Sequence, residues 1–202
     1  MELAFQLLIL LFSVVIHEVA HGFAASAFGD DTARNLGRLT LNPLKHLDVF
    51  GSFILPASLF FVSGGAFVFG FAKPVPFNPG LLKNPKKESG LIALAGPLSN
   101  LIIATIIGLI VKTGDFLQIP IITNTMPLLY TIAVINVILA IFNLVPIPPL
   151  DGSKILFALI PQSFQKIEFF LEKYGIFILF AFIMFGFQLL SPIISIVLNL
   201  IV

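Results

Sequence analysis

Three ionisable side chains stand close together in an apolar stretch near the start of the chain. His17, Glu18 and His21 form the pattern H-E-x-x-H. Side chains four positions apart lie on one face of an α-helix, so both imidazoles can reach one metal ion, while Glu18, rotated by about 100°, flanks the open position. A water on that metal would have its pKa lowered toward about 7, and Glu18 would take its proton and deliver it to a leaving amine. The pattern predicts two metal ligands and a general base.

The apolar surroundings favour this interpretation over a structural one. Short motifs recur by chance, and a helical histidine often only forms a hydrogen bond inside a core. Ionisable groups that face lipid cost about 2.5 kcal/mol or more each, so three of them within one turn of an apolar helix need partners or a function. We therefore interpret the three side chains as part of a metal site.

A catalytic zinc site usually has three protein ligands and a water, so one more ligand is needed. Asp151 is the leading candidate because Pro146, Pro148 and Pro149 end a helix just before it. An extended segment at membrane depth must be buried in protein or line a cavity, and it would hold a carboxylate rigidly. The alternative is a proline-rich loop in which Asp151 caps a helix that starts near Ser153. Other candidate ligands are His46, Asp48, Asp30, Asp31, Glu88 and Asp115.

The composition indicates a membrane protein. The chain has 202 residues, of which 58% are hydrophobic and only 10% charged, with a net charge of +1 and a mean hydropathy of +1.08. A soluble domain carries about 25% charged residues, so an ordinary water-facing surface is excluded. The near-neutral charge gives no footprint for nucleic acid, and the absence of cysteine excludes disulfides and thiolate ligands.

Five apolar runs are long enough to be considered as bilayer crossings. The first contains the H-E-x-x-H pattern and lacks a basic leader, so we interpret it as a retained transmembrane helix rather than a signal peptide. We expect a single integral-membrane domain over residues 1–202, with a core over 1–160 and a C-terminal helical segment over 161–202. The runs are Leu3–Phe28, Phe50–Ala72, Leu91–Val111, Pro127–Val145 and Ile176–Val202.

Asp151 can lie beside the histidines only if one of the first four runs does not cross the bilayer. If all four crossed, the first and fourth helices would be antiparallel and the motifs would lie at opposite faces. The run Phe50–Ala72 is the candidate because Pro56 and Ser63-Gly64-Gly65 interrupt it. We expect it to enter as a short helix, to turn at Ser63-Gly64-Gly65 and to return extended through Phe67 to Pro76.

The basic residues support this topology. With a re-entrant segment, ten of the eleven lie on one side and only Lys112 lies on the other, so the active site is expected to face the cytoplasm. The segments 36–41 and 69–76 are expected to pair as short strands, whose edge either holds an unwound substrate or only packs the re-entrant element. The predicted fold is an all-α integral membrane protein with about four transmembrane helices, a re-entrant segment and short membrane-embedded β-strands.

The motifs together resemble the site-2 protease family of intramembrane zinc metalloproteases, in the compact bacterial and archaeal branch that lacks PDZ and CBS domains. The resemblance runs from about Leu11 to Ile160. It is carried by His17-Glu18-x-x-His21, by Asn143-x-x-Pro146-x-Pro148-x-Leu150-Asp151-Gly152, and by the stretches Gly37–Asp48, Ala72–Pro76 and Ala95–Asn100.

The resemblance implies one zinc ion per chain, bound by His17, His21 and Asp151, with Glu18 as the base. It also implies that Asn143 and Pro146 bind substrate and that Asn100 faces the catalytic cavity, although a membrane asparagine more commonly forms an interhelical hydrogen bond. Two histidines and a carboxylate would also accept iron or cobalt.

The implied activity is cleavage of transmembrane helices of other proteins, in or near the lipid bilayer of a bacterial or archaeal cell membrane. Two other classes of protein stay open. A secondary transporter or metal channel shares the broken helices and the carboxylate at membrane depth, but the sequence shows no inverted repeat. An inactive family member that only binds membrane helices is disfavoured by the intact motifs.

Overall fold

The computed structural model of the chain describes residues 2–62, 64, 70 and 72–202, and these residues form helices and irregular segments without a strand. Short 3-10 or π turns lie at Pro43–Lys45, Phe50–Ile54, Pro79–Leu81, Gln162–Phe164, Phe182–Gly186 and Phe187–Leu190. The α-helices are α1 (Glu2–Ala27), α2 (Thr32–Asn35), α3 (Leu55–Val62), α4 (Pro85–Phe116), α5 (Pro120–Asn143), α6 (Asp151–Leu159), α7 (Gln165–Ala181) and α8 (Ser191–Ile201).

Four helical stretches are long and apolar enough to cross a membrane, which confirms the predicted number. They are Leu3–Ala27, Pro85–Phe116, Pro120–Asn143 and Gln165–Ile201. The last stretch is interrupted by the π and 3-10 turns over residues 182–190. Pro192 follows this interruption, in the first turn of α8, where its missing N–H would have no helical partner.

The chain between α1 and α4 leaves and rejoins the helical bundle on one side. His17 contacts Asn100 and His21 contacts Ile92, so α1 and α4 are antiparallel and the end of α1 lies beside the beginning of α4. The expected short helix is present as the π turn Phe50–Ile54, of 5 residues, followed directly by α3, of 8 residues, and together they span at most about 20 Å. Gly64 lies in a turn with a φ of 63°. The expected return through residues 65–69 and 71 lies outside the described residues, so re-entrance stays a prediction.

The expected pairing of short strands is corrected by the structure, because the described residues of 36–41 and 69–76 form none. Leu36 ends α2, and Gly37 follows with a φ of 62°, a left-handed conformation that ends the helix. The segment 72–78 is extended, but Pro74 and Pro76 have no N–H to give to a neighbouring strand. Its other donors bond mostly to side chains, as described below.

A buried apolar cluster joins α4, α5 and α7 to the proline-containing segment before α6. Val145 and Leu150, at the two ends of that segment, belong to this cluster. Gly175 on α7 allows close contact, since a Cβ there would lie 2.6 Å from the Pro148 carbonyl oxygen. The packing fixes the backbone immediately before Asp151. The other members of the cluster are Ala104, Val137, Ile141, Leu179 and Leu190.

Candidate metal centre

His17, His21 and Asp151 converge on one point. The His17 Nε2 and His21 Nε2 atoms lie 3.0 Å and 3.2 Å from Asp151 Oδ2. All three side chains are buried, and one possible ligand atom from each lies within 4.8 Å of the others. The histidines come from the second half of α1, and Asp151 is the first residue of α6. Residues 130 positions apart in the sequence are therefore brought into one cluster.

The other nitrogen of each imidazole already has a hydrogen-bond acceptor. His17 Nδ1 lies 2.7 Å from Asn100 Oδ1, and His21 Nδ1 lies 2.8 Å from the Ile92 carbonyl oxygen. With both Nδ1 atoms engaged, both Nε2 atoms face the Asp151 carboxylate. A partner on the second ring nitrogen is the usual arrangement around a histidine that binds a metal. The donor set of two imidazoles and one carboxylate fits zinc.

Gly96 on α4 provides the space at this point. A Cβ at position 96 would lie 2.5 Å from His17 Nε2 and 2.5 Å from His21 Nε2. Pro97 follows it inside the same helix, where a proline ring crowds the carbonyl one turn earlier. That same turn contains the Ile92 carbonyl that accepts from His21. Pro97 leaves the Ala93 carbonyl without a helical N–H partner, and the carbonyl next to it, that of Ile92, is the one that bonds to His21.

Asp151 does not act as a helix cap. The residue at the cap position is Leu150, whose side chain forms no capping hydrogen bond. The carboxylate instead points to the two histidines. Gly152 is required beside it, because a Cβ there would lie 2.5 Å from the Val145 carbonyl oxygen and overlap the backbone of Leu144.

Glu18 is half-buried and is held by the extended segment 72–78. Its Oε2 atom accepts a hydrogen bond of 2.7 Å from the Val75 N–H. Close packing brings the two elements together, since a Cβ on Gly22, one turn after Glu18, would lie 3.0 Å from Val75 Cγ1. This side chain does not belong to the cluster of possible metal ligands, but it lines the same cavity.

Three buried polar residues fix the rest of the segment 72–78. The Arg38 guanidinium donates to the carbonyls of Lys73 and Pro74, at 2.9 Å and 3.3 Å. The Lys73 N–H donates to the His46 carbonyl at 2.8 Å, and the Asn78 N–H donates to Asp30 Oδ2 at 2.5 Å. His46 is fully buried and its own ring bonds to the Thr40 carbonyl, so it is engaged away from the other two histidines.

The carboxyl group of Asp30 lies outside the membrane-spanning helices. Burial by itself would raise its pKa, but hydrogen bonds from the Thr32 hydroxyl, the Asn78 N–H and the Thr32 N–H lower that pKa below its ordinary value. The ionised carboxylate therefore ties the end of α1 to the segment 72–78.

The cluster opens into a cavity of about 560 Å³. Its polar part consists of six residues, which are His17, Glu18, His21, Asn143, Asp151 and Lys154. Its remaining walls are mostly apolar and come from the segment 72–78, α4, α5, α7 and the residues just before α6. A cavity with a few convergent polar groups in apolar walls is the usual form of a small active site.

The three expected substrate residues lie in different environments. Asn143 lines the cavity, and its amide donates to the Leu139 carbonyl at 2.9 Å. Asn100 is fully buried against His17 and is not among the residues that line this cavity. Pro146 is exposed and also lies outside the lining, which includes Pro149 and Leu150 instead.

With this geometry in place, comparison with known proteins decides the family. The family model named Peptidase family M50 matches residues 5–119 and 112–186. The chain belongs to peptidase family M50. This result confirms the resemblance to the site-2 proteases and the predicted class of enzyme, a metalloprotease.

Several relatives share most of this M50 chain. It is 38% identical over 177 residues to "Putative zinc metalloprotease YwhC" of Bacillus subtilis, an alignment covering 82% of this chain and 74% of the relative. It is 32% identical over 142 residues to "Putative zinc metalloprotease Rip2" of Mycolicibacterium smegmatis, covering 70% and 52%. It is 32% identical over 163 residues to "Zinc metalloprotease MJ0392" of Methanocaldococcus jannaschii, covering 80% and 36%. No solved structure matches the chain.

Sequence reasoning missed two groups around the site of this M50 peptidase. One is the Val75 N–H, which bonds to Glu18, and a backbone donor leaves no trace in a sequence. The other is the pair Ser13 and Asn136, both buried behind His17. Ser13 lies four residues before His17, on the same face of α1, and Asn136 is a polar residue in an apolar helix. From these two features the sequence could have identified Ser13 and Asn136 as residues near the site.

Proposed function

We propose that this chain is an intramembrane zinc endopeptidase that cleaves transmembrane helices of other membrane proteins, with its active site toward the cytoplasm. The observation that carries the proposal is the convergence of His17 Nε2, His21 Nε2 and Asp151 Oδ2 within a buried site of an M50 peptidase. These three side chains would hold one zinc ion per chain. When bound, zinc supplies a Lewis acid that polarises the scissile carbonyl and lowers the pKa of water.

Glu18 is proposed as the general base. Its Oε2 atom is held by the Val75 N–H, which leaves Oε1 to take a proton from the attacking water and to pass it to the leaving amine. The hydrogen bond from the Val75 N–H fixes the Glu18 carboxylate at the edge of the cavity. The carboxylate therefore needs little movement before it can accept the proton. The hydrogen bond also places the extended segment 72–78 beside the reacting groups.

The cavity is proposed to receive an unwound stretch of substrate. An α-helix is about 10 Å wide with its side chains, and its peptide groups are shielded by their own hydrogen bonds, so a scissile carbonyl must first leave the helical ladder. The segment 72–78 and Asn143 line the cavity on two sides and would contact the extended chain. The mostly apolar walls would limit water to the polar part of the site.

The test is the variant Glu18→Gln, which keeps the size of the side chain and removes its basicity. We expect zinc content to stay at the wild-type level while cleavage falls by about 10²-fold or more. The probes are two synthetic apolar helices in detergent micelles, one with a central Asn-Pro pair and one without, and the helix with the Asn-Pro pair should be cut faster. Glu172→Gln, the same change at an exposed position of α7, serves as the control. Equal cleavage by the Glu18→Gln variant and the wild type would refute the proposed base.

A further inference from the structure

Behind His17 lies a polar network that connects three membrane-spanning helices. It consists of Ser13 on α1, Asn100 on α4 and Asn136 on α5, and the two asparagines are fully buried. The Asn100 Nδ2 group donates to Asn136 Oδ1 at 2.8 Å and to the Ser13 carbonyl at 3.3 Å. The Asn136 Nδ2 group donates to Ser13 Oγ at 3.0 Å and to the Ile132 carbonyl at 2.9 Å.

The hydrogen-bond direction in this network is fixed by backbone carbonyls. A carbonyl oxygen only accepts, so the group of Asn136 that faces the Ile132 carbonyl must be its NH₂ group. The Oδ1 atom of Asn136 then faces Asn100, which must present its own NH₂ group in turn. The Oδ1 atom of Asn100 is left for His17 Nδ1, and this ring nitrogen must carry the proton.

We propose that Asn136, supported by Ser13, is a positioning residue for the metal centre, because it orients the Asn100 amide and thereby keeps the His17 proton on Nδ1. The inference rests on the proposed zinc site. With Nδ1 engaged by Asn100, His17 Nε2 is the ring nitrogen that faces Asp151 and that a metal would take. Asn136 acts through two other residues and does not line the catalytic cavity.

Comparison with His21 shows why the Nδ1 proton of His17 needs the support of Asn136. His21 Nδ1 reaches a backbone carbonyl directly, that of Ile92 at 2.8 Å, and its proton is fixed without help. The acceptor for His17 is a side-chain amide instead, and an amide rotated by 180° would present a donor. Asn136 prevents that rotation, since within the described part of the chain the other hydrogen bond of the Asn100 NH₂ group is the longer one, to the Ser13 carbonyl.

The first test measures zinc affinity by chelator competition on the purified full-length chain in detergent. Asn136→Leu is expected to weaken zinc binding by about tenfold, the lower end of the effect of removing a residue that supports a ligand. The control is Asn124→Leu, the same change at an exposed position of the same helix, which should bind zinc like the wild type. Equal affinities for the two variants would overturn the proposal.

The second test reads the position of the proton directly. The chain has only 3 histidines, so ¹⁵N-histidine NMR of the metal-free protein can be assigned by single substitutions. We expect His17 to be fully protonated at Nδ1 in the wild type and only partly protonated there in Asn136→Leu. Ser13→Ala removes one acceptor of the Asn136 NH₂ group and should give a smaller change, which also serves if the leucine variant does not fold.

The outcomes separate this inference from the proposed function. A His17 Nδ1 atom without a proton in the metal-free wild type would overturn the proposed role of Asn136 whatever the variants do. A wild-type chain that binds no zinc would refute the proposed zinc site, and the histidine spectrum would still decide whether Asn136 sets the tautomer. A merely structural role for Asn136 would lower thermal stability without moving the His17 resonances.

Discussion

Gly96→Ala should remove the metal while leaving the helix intact. The added Cβ would lie 2.5 Å from the Nε2 atoms of both His17 and His21, whereas non-bonded heavy atoms normally stay about 3.5 Å apart. One or both rings must therefore move by about 1 Å. Coordination distances in a metal site tolerate changes of only about 0.2 Å. We expect zinc binding to weaken by at least tenfold, comparable to losing a residue that supports a ligand.

The same substitution should not weaken α4 as a helix, although displacing the buried imidazoles costs stability as overpacking does elsewhere. Alanine is preferred over glycine in the interior of a helix by about 0.5 to 1 kcal/mol, because glycine loses more backbone freedom on folding. A loss of zinc in Gly96→Ala would then arise at the metal centre and not from unfolding of α4. Thermal unfolding of the metal-free protein should distinguish the two causes.

The assay is zinc per chain by elemental mass spectrometry, together with chelator competition, on protein purified in detergent. Gly108→Ala is the matched control on the same helix, because its Cβ would crowd the end of α8 and not a histidine. The control should lose stability and keep its zinc. Wild-type zinc affinity in Gly96→Ala would refute the reasoning, since the histidines could not then lie where the structure has them.

Two further predictions concern single carboxylates. Asp151→Asn should lower zinc content far below one ion per chain, because one of three ligands loses its charge, while Asp115→Asn at an exposed position of α4 should not; unchanged zinc in Asp151→Asn would mean that another residue is the third ligand. Asp30→Asn should lower thermal stability at neutral pH, because the pKa of Asp30 is lowered by its hydrogen bonds in the folded state. A lowered pKa gives stability that is present above the unfolded value of about 3.9 and lost as the pH falls through the folded value, so the difference from wild type should shrink below about pH 4. Asp31→Asn, next in the chain and half exposed, should show a smaller difference, and equal pH profiles for the two variants would contradict the role of Asp30.

The sequence by itself determined the number of membrane-spanning helices and the spacing of the candidate ligand pair on α1. A run of about 20 apolar residues has few alternatives to a helix in lipid, since backbone groups there must bond within their own segment. The spacing of His17 and His21 likewise follows from helical geometry alone. The family was also recognisable, because its motifs lie in the chain as contiguous stretches, and the M50 match confirms it.

The strands were mispredicted for a physical reason. A stretch with alternating prolines, such as 72–78, has a sequence pattern that is typical of an edge strand. In three dimensions its donors are taken by Glu18, Asp30 and the His46 carbonyl, and its carbonyls by Arg38. Local sequence does not reveal partners that lie 27 or more residues away.

Only the tertiary structure decided which groups surround the ligands. Asn100 could be expected near the site, but whether its amide faces the cavity or the back of His17 depends on the register of α4 against α1. That register follows from packing at Gly96, where the helix passes within contact distance of both imidazoles. The orientation of the Asn100 amide depends in turn on Asn136, which is 36 residues further along the chain. The types of the candidate ligands can be read from short stretches of sequence. The direction in which each side chain is held depends on how the helices pack.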